Sequence, residues 1–308
     1  MSGMRFTIFQ DSRKGARKVN QDRIAYIYSR DSLLMVLADG MGGHNGGEIA
    51  AQIAVRLFAE RFQQEAQPIL PNPFEFLHDT MRRIHAALGS YARQFSLVET
   101  PRTTCVAAIV QSGYAYWAHA GDSRLYLFRH GELFANTKDH SKVQYLMDRG
   151  LITEEEAAVH PERNRIYSCL GGVIEPVIDL SRRTTLNNND VILMCSDGFW
   201  GVMPTQDIID NLASAPLLQA APNMMREAQK RGGADGDNLS TIIMRWDTSR
   251  VEDTETTETS SLSPGEFSTQ LDETVVLNET EKDMSALSDN EIERAIAEIQ
   301  ETIRKFRR

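Results

Sequence analysis

Four aspartates stand where short apolar runs begin or end, and their placing is the first sign of chemistry in the chain. Leu33 to Ala38 runs into Asp39-Gly40, Tyr114 to Ala120 into Gly121-Asp122, and Val191 to Cys195 into Ser196-Asp197-Gly198. Asp237-Asn238 comes just before Ser240 to Trp246, and Asp22 closes a fifth short cluster, Arg17-Lys18-Val19-Asn20-Gln21-Asp22. Runs of this length and make-up are strand candidates, and a carboxylate at a strand terminus projects into the crevice beside the sheet edge. If these crevices coincide, the like charges cannot all stay ionised without cations. Oxygen-only ligands suit Mg²⁺ or Mn²⁺ rather than zinc, and two such ions sharing one bridging carboxylate would hold and activate a water. Singly, each acid is an ordinary turn or loop residue and Arg17 an ordinary surface charge. The case rests on their occurring together.

The elements that must position these residues are short and mixed. Cys105 to Val110 and Leu125 to Phe128 add two further strand candidates. Helical spacing appears in Gly47 to Phe62, with Ile49, Ile53, Leu57 and Phe58 on one face, and in Thr80 to Tyr91, with Met81, Ile84, Leu88 and Tyr91. Thr153-Glu154-Glu155-Glu156 is a capping-box pattern, and Thr205 to Leu212 and Leu217 to Arg231 are two more helical segments. There is no regular βαβ alternation, so the pattern points to an α+β protein with sheets covered by helices.

The order and wording of the clusters resemble the protein phosphatase 2C family, the metal-dependent phosphoprotein phosphatases, in its bacterial form. The matching phrases are R-x-x-N-Q-D (Arg17 to Asp22), ADGMGGHNGGE (Ala38 to Glu48), RTTCVAAIV (Arg102 to Val110), GDSRLY (Gly121 to Tyr126), SDGFW (Ser196 to Trp200) and GDNLS (Gly236 to Ser240). The resemblance covers roughly residues 5–247 and implies a four-layer α-β-β-α sandwich, two antiparallel sheets flanked by helices, with metals at one end between the sheets. It implies that Asp39 bridges two Mn²⁺ or Mg²⁺ ions, that the Gly40 carbonyl serves one of them, and that Asp197 and Asp237 complete the other. Asp122, with Asp197, would hold a third, weaker ion; Asp22 would act at or through metal-bound water; Arg17 would grip the substrate phosphate. The implied reaction is in-line attack on phosphoserine or phosphothreonine by a hydroxide bridging the two ions, reversing a bacterial Ser/Thr kinase, with phosphotyrosine left open. Arg17, Asp22 and Asp39 are thus the catalytic candidates.

Two positions depart from the eukaryotic pattern. Gln21 stands where a glutamate often precedes the aspartate, which lowers the cage charge, and Met41 stands where a histidine follows Asp-Gly. His44 is then the candidate general acid. Cys195 and His119 read as packing residues inside strands, whereas His140 and His160 fall in the stretch from Lys138 to Arg165, the place of the family's variable flap, and read as solvated.

Composition bounds the rest. The net charge of −10 argues against a general nucleic-acid binder, and no apolar run approaches the ~18 residues that a membrane span requires. Three cysteines without a CxxC pair exclude a disulfide framework and fit a reducing, cytoplasmic setting. The acidity is concentrated at the end: residues 249–308 hold fifteen acidic and seven basic residues. The expected organisation is a phosphatase domain over 1–248, an acidic Ser/Thr-rich disordered linker over 249–286, and a C-terminal amphipathic helix over 287–308. In that helix Ile292, Ile296, Ile299, Ile303 and Phe306 share a face. Beside phosphoprotein substrates, the tail has two readings: an inert solvated linker, the favoured one, or a docking segment for a Ser/Thr kinase or forkhead-associated-domain protein, since Thr269, with Asp272 three residues on, resembles a phosphothreonine site of the kind such domains bind. A pseudophosphatase would have lost cage acids, and none of the main ones is missing.

Overall fold

Strands that read as unbroken apolar runs are covered on both faces, and those that alternate are covered on one. Both kinds occur in the computed structural model, which describes residues 3–42, 46–248, 256–263 and 265–271. In chain order the strands are β1 (Arg5–Arg13), β2 (Asp22–Tyr28), β3 (Ser32–Met41), β4 (Arg102–Thr103), β5 (Cys105–Gln111), β6 (Tyr114–Ala120) and β7 (Arg124–Arg129). They continue with β8 (Glu132–Asn136), β9 (Asp179–Leu180), β10 (Thr184–Thr185), β11 (Val191–Cys195), β12 (Leu239–Trp246), β13 (Thr257–Glu258) and β14 (Ser268–Leu271). The helices are α1 (Gly46–Glu65), α2 (Pro73–Gln94), α3 (Lys142–Asp148), α4 (Glu154–Ala158), α5 (Asp197–Trp200), α6 (Thr205–Ser214) and α7 (Leu217–Gly232).

One sheet runs β13-β1-β12-β11-β7-β8 and the other β10-β6-β5-β3-β2-β14, with β4 on β3 and β9 on β6. Neighbouring strands are antiparallel throughout. Between the sheets lie Phe6, Leu33, Met35, Leu37, Val106, Leu127, Ile192, Met194, Ile242 and Met244. The alternate residues of the second sheet (Leu34, Val36, Ala107, Ile109) face α1 and α2, and those of the first (Leu193, Cys195, Ile243) face α5, α6 and α7. Three apolar layers between four structural layers give the expected α-β-β-α sandwich.

α1 is buried around most of its circumference because Ala50, Ala51, Ala54 and Ala59 let it lie close on the sheet. α2 begins seven residues before the predicted segment, where the Asn72 side chain caps the Glu75 N–H at 3.3 Å and Pro73 fills the first turn. The Thr153 capping box is present at α4.

Three expectations need correction. β3 does not stop before Asp39-Gly40; it continues through them to Met41, pairing Gly40 with Thr103 and Asp39 with Asp22, so this Asp-Gly is extended strand, not turn. His140 is not a solvated residue but 2% exposed. The stretch 249–286 is not uniformly a disordered linker, since its described residues pair with both sheets through β13 and β14; backbone hydrogen bonds and a few inward side chains achieve this despite a polar composition. The terminal helix predicted over 287–308 and His44 lie outside the described residues.

Candidate metal centre

The sheet topology places the acids. β2 and β3 are neighbours in one sheet and bring Asp22 opposite Asp39. β11 and β12 are neighbours in the other, so Asp197, which opens α5 just after β11, meets Asp237, which precedes β12. Asp122 sits at the corner between β6 and β7. Burial, with the charges of Asp22, Asp197, Asp122 and Asp237 adding repulsion, holds the Asp39 carboxyl well above the usual range. Burial pushes Asp197 up to about 8, with Asp122, Asp237 and Asp22 adding repulsion. Asp22 and Asp122 are each raised to about 6, burial again leading. All five predicted aspartates therefore converge. Asp22 is fully buried and its Oδ1 has no hydrogen-bond partner, an unsatisfied oxygen of the kind a cation satisfies.

Glycines permit the convergence. A side chain at Gly40 would land 2.0 Å from the Gly47 carbonyl oxygen, and one at Gly198 would land 2.0 Å from that of Asn238. Both are close backbone approaches, of β3 on α1 and of α5 on the Asp237 loop, which any larger residue would force apart.

Polar residues that the sequence reading did not single out hold the acids in place. Ser196 is fully buried; its hydroxyl donates to Asp22 Oδ2 at 2.8 Å and accepts from the Ser240 N–H at 3.1 Å. Asn238 accepts from the Gln21 N–H at 2.9 Å and donates to the carbonyls of Lys14 and Val19 at 2.8 and 3.0 Å. It thereby fixes the loop that carries Arg17. Arg23, 1% exposed, donates to the carbonyls of Asn20 and Asp22 and to Glu48 at the start of α1. The only trace in the sequence is that these residues flank the acids of N-Q-D, S-D-G and G-D-N; the partners Gln21, Asp22 and Glu48 are distant in sequence and meet them only in the fold. Arg17 itself is exposed, and its Nη2 lies 2.6 Å from Asp237 Oδ2; Asp237, with Asp197, Trp200 and Arg163, lines an open groove of about 980 Å³.

The Asp122 corner is held by the flap. Trp200 Nε1 donates to the Asp122 carbonyl at 2.9 Å, the Arg124 guanidinium lies 3.6 Å over the Trp200 ring, and Asp139 receives two Arg124 bonds of 2.8 Å. His140 accepts from the Gly121 N–H at 3.2 Å through Nδ1, and its own N–H donates to the Gly121 carbonyl at 2.9 Å. His119, His140 and Asp179 approach one another within 4.8 Å. Because His140 Nδ1 is an acceptor, Nε2 carries the proton and faces Asp179 at 3.3 Å; His119 Nε2, 2.7 Å from the Lys138 carbonyl, is likewise a donor. These proton positions make a structural pair rather than a second ligand set. Cys195 is wholly buried with its thiol pushed far up, consistent with packing.

Among the described residues no helix is long and apolar enough to cross a membrane. The profile described as Protein phosphatase 2C matches residues 10–242. The serine/threonine phosphatase stp of Listeria monocytogenes is 29% identical over 243 residues, 78% of this chain and 95% of its own. The serine/threonine protein phosphatase PstP of Mycobacterium tuberculosis is 32% identical over 233 residues, 75% of this chain and 43% of its own length. Among solved structures, the serine/threonine phosphatase of S. agalactiae superposes with a TM-score of 0.70 at 28% identity, over 78% of this chain and 98% of its own. The catalytic domain of PstP in complex with two manganese ions does so with a TM-score of 0.67 at 29% identity, over 79% and 99%. The motif order, the sandwich and these matches agree, and the chain belongs to the protein phosphatase 2C family of metal-dependent phosphoprotein phosphatases.

Proposed function

We propose that this enzyme removes phosphate from phosphoserine and phosphothreonine on protein substrates, opposing a serine/threonine kinase. Asp22, Asp39, the Gly40 carbonyl, Asp197 and Asp237 are proposed to hold two Mn²⁺ or Mg²⁺ ions, and Asp122 with Asp197 a third. The observation that carries this is the ring of five carboxylates in which Asp22 Oδ1 is buried without a partner. Such a ring is unfavourable when ionised and empty of positive charge, and the all-oxygen donor set fits hard divalent cations. When bound, the ions supply charge neutralisation and an activated water.

The chain's own residues do the rest. The Arg17 guanidinium stands 2.6 Å from Asp237, which lines the groove, and its planar fork matches two phosphate oxygens. Asn238 fixes that loop so that Arg17 need not be ordered on binding. Ser196 donates to Asp22 Oδ2 and leaves Oδ1 without a hydrogen-bond partner. No cysteine nucleophile is needed, and the buried Cys195 thiol is out of reach.

The test is hydrolysis of phosphoserine, phosphothreonine and phosphotyrosine peptides by wild type and Asp39→Asn, with Mn²⁺ and with a chelator. Turnover should require the metal and fall by at least about two orders of magnitude in the variant, as loss of a principal charge-stabilising group does. Metal-independent turnover, or full activity in Asp39→Asn, overturns the reading.

A further inference from the structure

Without a neighbour, β1 and β2 would each leave a row of unpaired backbone groups along the same side of the sandwich, an arrangement natural sheets avoid. Residues 257–263 and 265–271 cover part of each row, β13 at the first two residues of β1 and β14 along Ala25–Tyr28 of β2. β13 pairs with the start of β1, Glu258 opposite Arg5 and Thr257 opposite Phe6, and the Arg5–Glu258 ion pair closes at 3.0 Å. Thr259 is fully buried: its hydroxyl accepts from the Met4 N–H at 2.7 Å and lies 2.6 Å from the Arg30 carbonyl, to which it donates. The Thr259 N–H donates to the Met4 carbonyl at 3.0 Å. One residue thus joins the entrance of β1 to the β2–β3 turn. The chain then crosses to the other sheet, where the Phe267 ring meets Phe62 of α1 edge-on at 5.9 Å. β14 pairs with β2 from Tyr28 to Ala25, and Thr269 Oγ1 accepts from Gln63 Nε2 at 3.1 Å.

This segment lies beyond the family match, which ends at residue 242; the Listeria stp covers 95% of its own length while matching only 78% of this chain. We infer that the outer edges of β1 and β2, with the Phe62–Gln63 face of α1, form a strand-addition surface whose occupant is residues 257–263 and 265–271 of the same chain. Its occupancy steadies the two strands that lead into Arg17 and Asp22. Main-chain pairing supplies the attachment and the inward Thr259, Phe267 and Thr269 supply the register, as in other strand additions. The surface rests on the fold alone; only its effect on Arg17 and Asp22 rests on the proposed function.

Hydrogen exchange of the full chain tests it without reference to activity. Residues 257–263 and 265–271 should exchange at least roughly tenfold more slowly than an unstructured peptide. In Thr259→Val with Phe267→Ala, peptides covering Arg5–Phe9 and Asp22–Tyr28 should exchange roughly tenfold faster while Val191–Cys195 in the central β11 stays unchanged. The same variant should raise KM for a phosphopeptide about two- to threefold with kcat little changed, because phosphate binding depends on a steadied Arg17 loop. Free-peptide exchange rates in the wild-type segment, or unaltered protection of β1 and β2 in the double variant, overturn the inference. Loss of wild-type protection on tenfold dilution would also overturn it, placing the occupant in a second copy. Failure of the KM arm alone, with exchange as expected, would count against the Arg17 coupling and leave the surface standing.

Discussion

Burial and mutual repulsion set the behaviour of the cage acids one by one. Asp197 is raised to about 8 and Asp22 and Asp122 to about 6, so each binds its proton more tightly in the folded chain than unfolded, where an aspartate titrates near 3.9. A raised folded value gives stability that is fully present below the unfolded value and lost as pH rises through the folded one. With divalent ions chelated, the midpoint of thermal unfolding should therefore fall as pH is raised from about 4 to about 8, most steeply between about 4 and 6, where the unfolded aspartates are ionised and the folded ones still hold their protons. With saturating Mn²⁺ the ions take the place of the protons and the slope should flatten, while the Mn²⁺ concentration needed for half activation rises as pH drops. Calorimetry across that range in chelator and in Mn²⁺ checks it; a chelated protein whose stability climbs with pH from 6 to 8 would contradict the placement of these carboxylates. Asp39, Asp122, Asp197 and Asp237 were legible in the sequence because each ends or begins an apolar run, and Asp22 because it closes the phrase from Arg17 to Asp22. Asn238, Ser196 and Arg23 were not, because their roles come from partners such as Gln21, Asp22 and Glu48 that only the fold brings near.

Elements were legible where burial is continuous and obscure where it alternates with polar residues. β5, β6 and β11 are apolar on both faces and match their predicted bounds to within a residue. β1 (RFTIFQDSR) was missed, since its period-two pattern is interrupted by charged residues at the cage end. Asp39-Gly40 looked like a turn because Asp-Gly usually is one; here the strand is carried onward by pairing with β2 and β4 and pressed against α1. That contact gives a prediction at the element scale. A methyl group added at Gly47 would meet the Gly40 carbonyl carbon at 2.6 Å and its oxygen at 2.7 Å. Gly47→Ala must push the start of α1 from the end of β3, costing about 1–3 kcal/mol as overpacked sites do and shifting the Gly40 carbonyl, a proposed ligand. Denaturant unfolding should register that loss, and the Mn²⁺ activation curve should shift to higher concentration; an alanine variant with wild-type metal dependence would show that the β3–α1 approach does not shape the site.

The whole molecule is two sheets whose apolar faces meet, and the cage lies across that meeting. Asp22 and Asp39 come from one sheet, while Asp197 and Asp237 flank neighbouring strands of the other. Ions held by both pairs would tie the sheets together at one end, as β13 and β14 tie their edges along one side. Binding to the folded state alone stabilises it by about 2.7 kcal/mol at a hundredfold excess over Kd. For a domain of this size that shifts the unfolding midpoint by about 5–10 °C. Wild type should show such a rise on adding Mn²⁺ at pH 7.5. Asp39→Asn and Asp197→Asn should each lose most of it, although they remove acids from opposite sheets. They should also be more stable than wild type in chelator, because each relieves repulsion within the ring. A rise that survives in both variants would place the stabilising ion elsewhere, and variants less stable than wild type in chelator would mean that the carboxylates are not crowded in the metal-free fold.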